Sequence, residues 1–239
     1  QKYIELIPKD PNPYDSYAEL LLKEGKFDDS IAQYRKALAI DPNFTASYQG
    51  IAADLLYGGK PDEAAAEVKK MAEKARNDGE RRNALFAQAF LLIDGGKPAR
   101  AAAVADEQYA VSEKTKDVLG MAGSLQLKGA ILLEEGKTAD AKAVFDRAGK
   151  MIEDSDLSPS VKENNRRTHH LNIARVALEK HDLAAAKAEA AEFQKNTPAS
   201  NSVQARTHPH LAGRLGPPYP RDDQPHPELA PANAAEPCH

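Results

Sequence analysis

The chain has 239 residues and sets 32 Lys and Arg against 36 Asp and Glu, a formal net charge of -4 with the two signs well mixed. No long basic block marks a nucleic-acid or acidic-membrane surface, and no run of about 18 apolar residues marks a bilayer span, so neither partner is expected. With no Trp and 6% aromatic residues the core has to be built from alanine and leucine, and the one cysteine, Cys238, leaves no intramolecular disulfide framework or thiolate cluster and keeps the redox compartment open.

In chain order, residues 1–10 open with QKYIELIP, whose apolar spacing reads as the last two turns of a helix stopped at Pro8. Over 14–42 the sequence carries two amphipathic helices. Tyr17, Leu20, Leu21 and Glu24 recur at helical spacing until Gly25 and Lys26 break the run, where a C-terminal glycine is cheapest. Asp28 is the expected N-cap of the next helix, which lays Ile31, Tyr34, Ala37 and Leu38 along one face and Gln33, Arg35 and Lys36 along another. Pro42 ends it.

This stretch resembles a tetratricopeptide repeat, a helix-turn-helix unit of about 34 residues. Tyr14, Tyr17, Ala18, Leu21, Gly25, Ser30, Tyr34, Ala37 and Pro42 fill its aromatic, small and proline positions, with Ser30 where alanine is usual. Tyr3, Ile4, Leu6 and Pro8 correspond to Ala37, Leu38, Ile40 and Pro42, so the chain is expected to begin within a unit. One unit cannot bury its own apolar stripe and needs neighbours on both sides.

Further copies follow. A second unit begins near Thr45 with Tyr48, Ile51, Ala52, Leu55, Gly59, Ala64 and Val68, and its turn GGKPDEAA returns as GGKPARAA at 95–102 in a third. A fourth supplies Leu125, Gly129, Leu132, Gly136, Ala141, Phe145 and Ala148. The step between turn glycines grows from 34 residues (Gly25 to Gly59) to 37 (Gly59 to Gly96) and 40 (Gly96 to Gly136), so helices or connections lengthen toward the C-terminus. After a loop around Pro159, a fifth unit is expected from THHLNIARVALEK and DLAAAKAEAAEFQK, with His181 in the glycine place. Beyond Pro198 the periodicity dissolves. Prolines 217, 218, 220, 225, 227, 231 and 237 fall within the last 24 residues, a density no helix survives.

The expected architecture is all-α: a right-handed α-solenoid of stacked antiparallel helix pairs, five of them over 11–196, preceded by the end of a repeat at 1–10 and followed by a disordered Pro-rich tail at 197–239. Two origins of the tail stand side by side, a natural linker and an out-of-frame reading of a further repeat begun by HLAGRL at 210–215.

No catalytic, cofactor or metal constellation assembles from the sequence. His169 and His170 are adjacent and so point about 100 degrees apart on a helix, and no HExxH places two imidazoles on one face. The paired glycines at 58–59 and 95–96 lie between helices, outside any phosphate-binding pattern, and Glu134-Glu135 and Asp154-Ser155-Asp156 lack the oxygen alternation of a calcium loop. What remains is surface.

The resemblance implies that the first helix of each unit lines a concave, partner-binding face. Carried over by position, it places Asp15, Glu19 and Lys23 there in the first unit, and Gln49, Ala53, Leu56 and Tyr57 in the second. The third contributes Asn83, Phe86, Phe90 and Ile93, the fourth Gln126, Ala130 and Leu133, and the fifth Leu171, Asn172, Arg175 and Leu178. Phe86 and Phe90 stand one turn apart and are the candidate anchor for an apolar side chain, the alternative being that they pack on a neighbouring long helix. The implied function is a non-catalytic interaction scaffold for a partner helix or peptide, with Gln49, Ala53, Tyr57, Asn83, Phe86, Phe90, Ile93, Gln126 and Arg175 as groove residues. Asp15 and Glu19 stand where a carboxylate-gripping groove needs lysine and asparagine, so an apolar or basic segment fits better than an acidic tail. A second reading is the regulatory or sensor part of a larger signalling or transcription-regulating protein.

Overall fold

The computed structural model describes residues 2–197, and the Pro-rich tail lies outside the described residues apart from Thr197. Among them the chain forms eleven α-helices and no strand. A short α1 (Lys2–Leu6) precedes five antiparallel pairs: α2 (Asn12–Lys23) with α3 (Phe27–Ile40), α4 (Thr45–Tyr57) with α5 (Pro61–Lys74), α6 (Asp78–Asp94) with α7 (Pro98–Lys114), α8 (Val118–Glu134) with α9 (Thr138–Glu153), and α10 (Pro159–Glu179) with α11 (Leu183–Lys195).

The same turn closes every pair. After α2, Gly25 takes a φ of +73°, its N–H donates to the Leu22 carbonyl at 2.9 Å, and the Lys26 N–H donates to the Leu21 carbonyl at 2.9 Å. This satisfies two orphan carbonyls and turns the chain straight into α3. The bonding recurs at Gly59, Gly96 and Gly136. His181 adopts it too, with a φ of 58° and N–H bonds from His181 to Leu178 and from Asp182 to Ala177. A residue with a Cβ is strained there by about 1 kcal/mol.

This turn corrects one expectation. Asp28 is not the N-cap of α3: the cap is Lys26, and Asp28 and Asp29 sit inside the first turn, where their negative charge complements the positive end of the helix dipole. Side-chain caps occur instead at Asn77, Asp117 and Asp182, each accepting a backbone N–H three residues on.

The helices stack in sequence order, each packing on the one before and the one after, and the first helices α2, α4 and α6 also touch directly. The result is an α-solenoid whose core runs along the stack as a series of clusters. Small residues admit large ones at the joints. Tyr34 of α3 lies against Gly50 of α4, and Phe145 of α9 lies against Gly129 of α8, so closely that a Cβ at either glycine would collide with the ring. Ser30 does more than stay small: its hydroxyl donates to the Ala18 carbonyl at 2.8 Å and ties α3 to α2.

The growing step between turns comes from the helices, which lengthen from 13 and 14 residues in α4 and α5 to 17 each in α6 and α7. In the fifth unit α10 reaches 21 residues and begins at Pro159, well before Thr168, where the periodic run starts. Its early turns are fixed by polar contacts. Asn165 Nδ2 donates to the Gly149 carbonyl at 3.3 Å, Arg166 donates twice to the Glu153 carboxylate at 2.9 and 2.7 Å, and Arg167 reaches the Asn196 carbonyl at 3.0 Å.

Three buried carboxylates mark the joint between the first two units. Glu67 of α5 receives both guanidinium nitrogens of Arg35 from α3, at 3.1 and 2.7 Å, and Lys70 at 2.8 Å. Burial alone would raise its pKa, but Arg35 and Lys70 outweigh that and hold it below the usual carboxylate range. Asp15 of α2 accepts the Ser47 hydroxyl of α4 at 2.7 Å. Asp54 of α4 is fully buried and neither of its oxygens has a hydrogen-bond partner, because the Ser30 hydroxyl beside it is committed to Ala18. Burial pushes its carboxyl up to about 6, an effect the nearby Ser30 only partly offsets.

Candidate functional site

The inward stripe of α4 carries Gln49, Ala53 and Tyr57 at successive four-residue intervals, and that of α6 carries Phe86 and Phe90 at the same spacing. The two stripes face each other across a groove of about 200 Å³. Ala52, Leu56, Val68, Ala87 and Leu91 complete its walls. Its lining is almost wholly apolar, and the helices that bear it come close because Ala52 and Ala87 occupy the joint.

Phe86 and Phe90 are 45% and 50% exposed, so neither is taken up by a neighbouring long helix. Tyr57 is exposed as well and is steadied from behind by Phe27, whose ring stacks on it at 6.2 Å and 22°. The groove mouth therefore presents three aromatic rings.

Five of the nine groove residues read from the sequence meet here: Gln49, Ala53, Tyr57, Phe86 and Phe90. The other four do not line it. Asn83 is exposed one turn before Phe86, and Ile93 turns toward the core shared with α7 and α8, beside Ala89, Ala101 and Ile131. Gln126 is half-buried on α8, and Arg175 on α10 points back to Glu134, with Nη2 3.9 Å from Oε1. Sequence reasoning missed Ala52, Val68, Ala87 and Leu91 as groove lining. Ala87 and Leu91 sit one place after the phenylalanines at the same spacing, a signal that reads as core and is in fact both core and groove floor.

A second cavity of about 320 Å³ adjoins the first and shares Gln49 and Ala53 with it. Asp15, Glu19, Leu22 and Lys23 of α2, Tyr34 of α3 and Ala46 and Gly50 of α4 make up the rest of its lining. Burial, then Glu19, raises the Asp15 carboxyl, and the Ser47 hydroxyl only partly offsets this. Burial, followed by Asp15, Asp54 and Glu19, likewise drives the Tyr34 phenol well above its ordinary range.

The histidines sit apart from this surface. His170 Nδ1 lies 2.7 Å from Glu189 and His169 Nε2 3.4 Å from Asp146, with the two rings 6.3 Å apart at 62°. Among the described residues no group of three or more His, Cys, Asp or Glu is placed to hold a metal ion, and no helix is long and apolar enough to cross a membrane.

Residues 12–44, the unit formed by α2 and α3, match the family model for the tetratricopeptide repeat. The chain carries a tetratricopeptide repeat. No curated protein matches it in sequence. Its solenoid is similar to that of a tetratricopeptide repeat protein from Parabacteroides merdae, at a TM-score of 0.61 and 14% identity over 89% of this chain and 73% of that one. It is similar also to BtubC from P. vanneervenii, at a TM-score of 0.58 and 20% identity over 77% of this chain and 78% of that one. A thermophilic tetratricopeptide-repeat protein of Thermus thermophilus matches with a TM-score of 0.56 and 18% identity over 86% of this chain and 98% of that one. At such identities the similarity is one of fold. A tetratricopeptide-repeat solenoid is in general a scaffold for protein interactions.

Proposed function

We propose that this chain is a non-catalytic scaffold that seats a helix or peptide of a partner protein along α2, α4 and α6, with an apolar side chain anchored between Tyr57, Phe86 and Phe90. The observation that carries the proposal is the half-exposure of two phenylalanines at the mouth of an apolar groove. Full burial of a phenylalanine is worth about 1.5–3 kcal/mol, so covering the exposed half of each recovers about 1 kcal/mol or more. Two such anchors in one cleft are the kind of centre around which peptide binding is built.

The test is selection of phage-displayed random peptides on the full chain beside a Phe86→Glu, Phe90→Glu variant whose helicity is checked by circular dichroism. Peptides held by the parent and released by the folded variant support the groove. Recovery of the same peptides on both would remove it. The exposure of both rings makes the double variant a mild one for the fold itself.

A further inference from the structure

Resting on that reading, we infer that the ligand segment carries a lysine or arginine, and that Asp15 and Glu19 receive its cation while its apolar side chains lie between Tyr57, Phe86 and Phe90. The two cavities are one groove in two chemistries, because Gln49 and Ala53 of α4 line both. One end is apolar and aromatic, and the other carries two carboxylates one helical turn apart on α2.

Neither carboxylate is neutralised. Among the described residues no Lys or Arg forms an ion pair with Asp15 or Glu19, whereas Glu67, the other buried acid at this joint with a charged neighbour, is paired with both Arg35 and Lys70. Lys23 lies at the same cavity, four residues after Glu19, and one cation against two carboxylates leaves the cavity negative. Asp15 is also held in place. It is 8% exposed and its Oδ1 accepts the Ser47 hydroxyl, so its charge is oriented by the joint between α2 and α4 before any ligand arrives. Tyr34, pressed against Gly50, closes the floor of this end with its phenol, a group that both donates and accepts hydrogen bonds.

A fixed carboxylate with a second, exposed one beside it suits an ammonium or guanidinium, which can be shared between two acceptors. An acidic segment meets the opposite condition, with its charge facing two carboxylates across a short gap. Charge complementarity therefore selects a basic and apolar segment and gives it a direction, cation toward α2 and apolar residues toward α6.

The experiment extends the phage selection. Peptides that depend on Phe86 and Phe90 are sequenced, one is synthesised with its Lys or Arg intact and with norleucine in that place, and both are titrated by fluorescence anisotropy against the full chain and its Glu19→Gln variant. The expected result is enrichment of Lys or Arg in the selected set and a weakening of about fivefold from either change alone, with little further loss when the two are combined. A Glu19→Lys variant is expected to turn the selection toward acidic peptides. Selected peptides that need Phe86 and Phe90 but show no enrichment in Lys or Arg, or two changes whose effects simply multiply, would overturn the cation site and leave the apolar groove standing. If no peptide distinguishes the parent from the Phe86→Glu, Phe90→Glu variant, the groove falls and the cation site falls with it.

Discussion

The inward faces of the two halves of this solenoid are built at the same repeat positions and end up in opposite states. In the first three units α2, α4 and α6 leave theirs open, with Phe86 and Phe90 half-exposed and, among the described residues, no Lys or Arg in an ion pair with the exposed Glu19. In the last two units the corresponding faces are used up. Leu133 of α8 is 4% exposed and packs with Phe145 and Val176, Leu171 joins the cluster of Ala177 and Ala186, and Arg175 is turned to Glu134. The difference teaches that an inward position is a binding position only where the next unit fails to cover it. Family register locates the stripe, and local packing decides whether it is free.

The largest expected effect that sharpens this contrast is a pair of truncations. Leu133→Ala removes a buried side chain and is expected to cost about 3 kcal/mol, whereas Phe90→Ala, on the open half, is expected to cost about 1 kcal/mol or less. Urea denaturation of both variants measures the gap, and equal losses would mean that the two faces are not differently covered. A smaller effect is expected at the buried joint of the open half. Because the Asp54 carboxyl is raised to about 6 from an ordinary value near 3.8, the folded state holds its proton more tightly than the unfolded state does. Its stabilising protonation is complete below the unfolded value and is lost as pH rises through about 6, so stability falls across that window. Asp54→Asn is expected to abolish this slope and to raise stability at pH 7 by about 1 kcal/mol, read from thermal melts at about pH 4.5 and pH 7. A variant that melts as the parent does at both values would show that Asp54 is solvated in solution. The smallest effect is expected in the covered half, at His181, which among the described residues is the turn within a helix pair that lacks glycine. His181→Gly should relieve the strained φ, and because glycine's greater freedom in the unfolded chain takes back part of that gain, the midpoint of melting should rise by only about two degrees, with ligand binding untouched. A fall in the midpoint would mean that the imidazole contributes more than its backbone costs.

Much of this was legible in the sequence, for a physical reason. Turn glycines, small joints and large fillers are local requirements that leave local marks, so Gly25, Gly129 and Tyr34 disclose both the repeat and its register. The pair Phe86 and Phe90 is equally local, being set by the period of one helix. What escaped was set by contacts between units. The early turns of α10, PSVKENNRRT, show no apolar stripe, since their buried residues are Asn165 and Arg167, paired with distant carbonyls. Lys116 takes a left-handed turn between α7 and α8 with nothing in its residue type to announce it. Asp54 carries no mark in the sequence beyond its place among Ile51 and Leu55, and it is the packing of α3 on α4 that leaves it fully buried. Leu133 and Ile93 occupy the inward register and are nonetheless drawn into core, because the lengthened helices of the later units overlap more of their neighbours.

The sequential stacking of the helices has a mechanical consequence. Each pair leans on the next through a separate joint, so the joints act as elastic elements in series and their compliances add along the stack. A segment lying across α2, α4 and α6 spans two of these joints and works as a splint. Its arrival is expected to stiffen the curvature of the open half while the covered half, already braced by Leu133, Val176 and Arg175, keeps its bend.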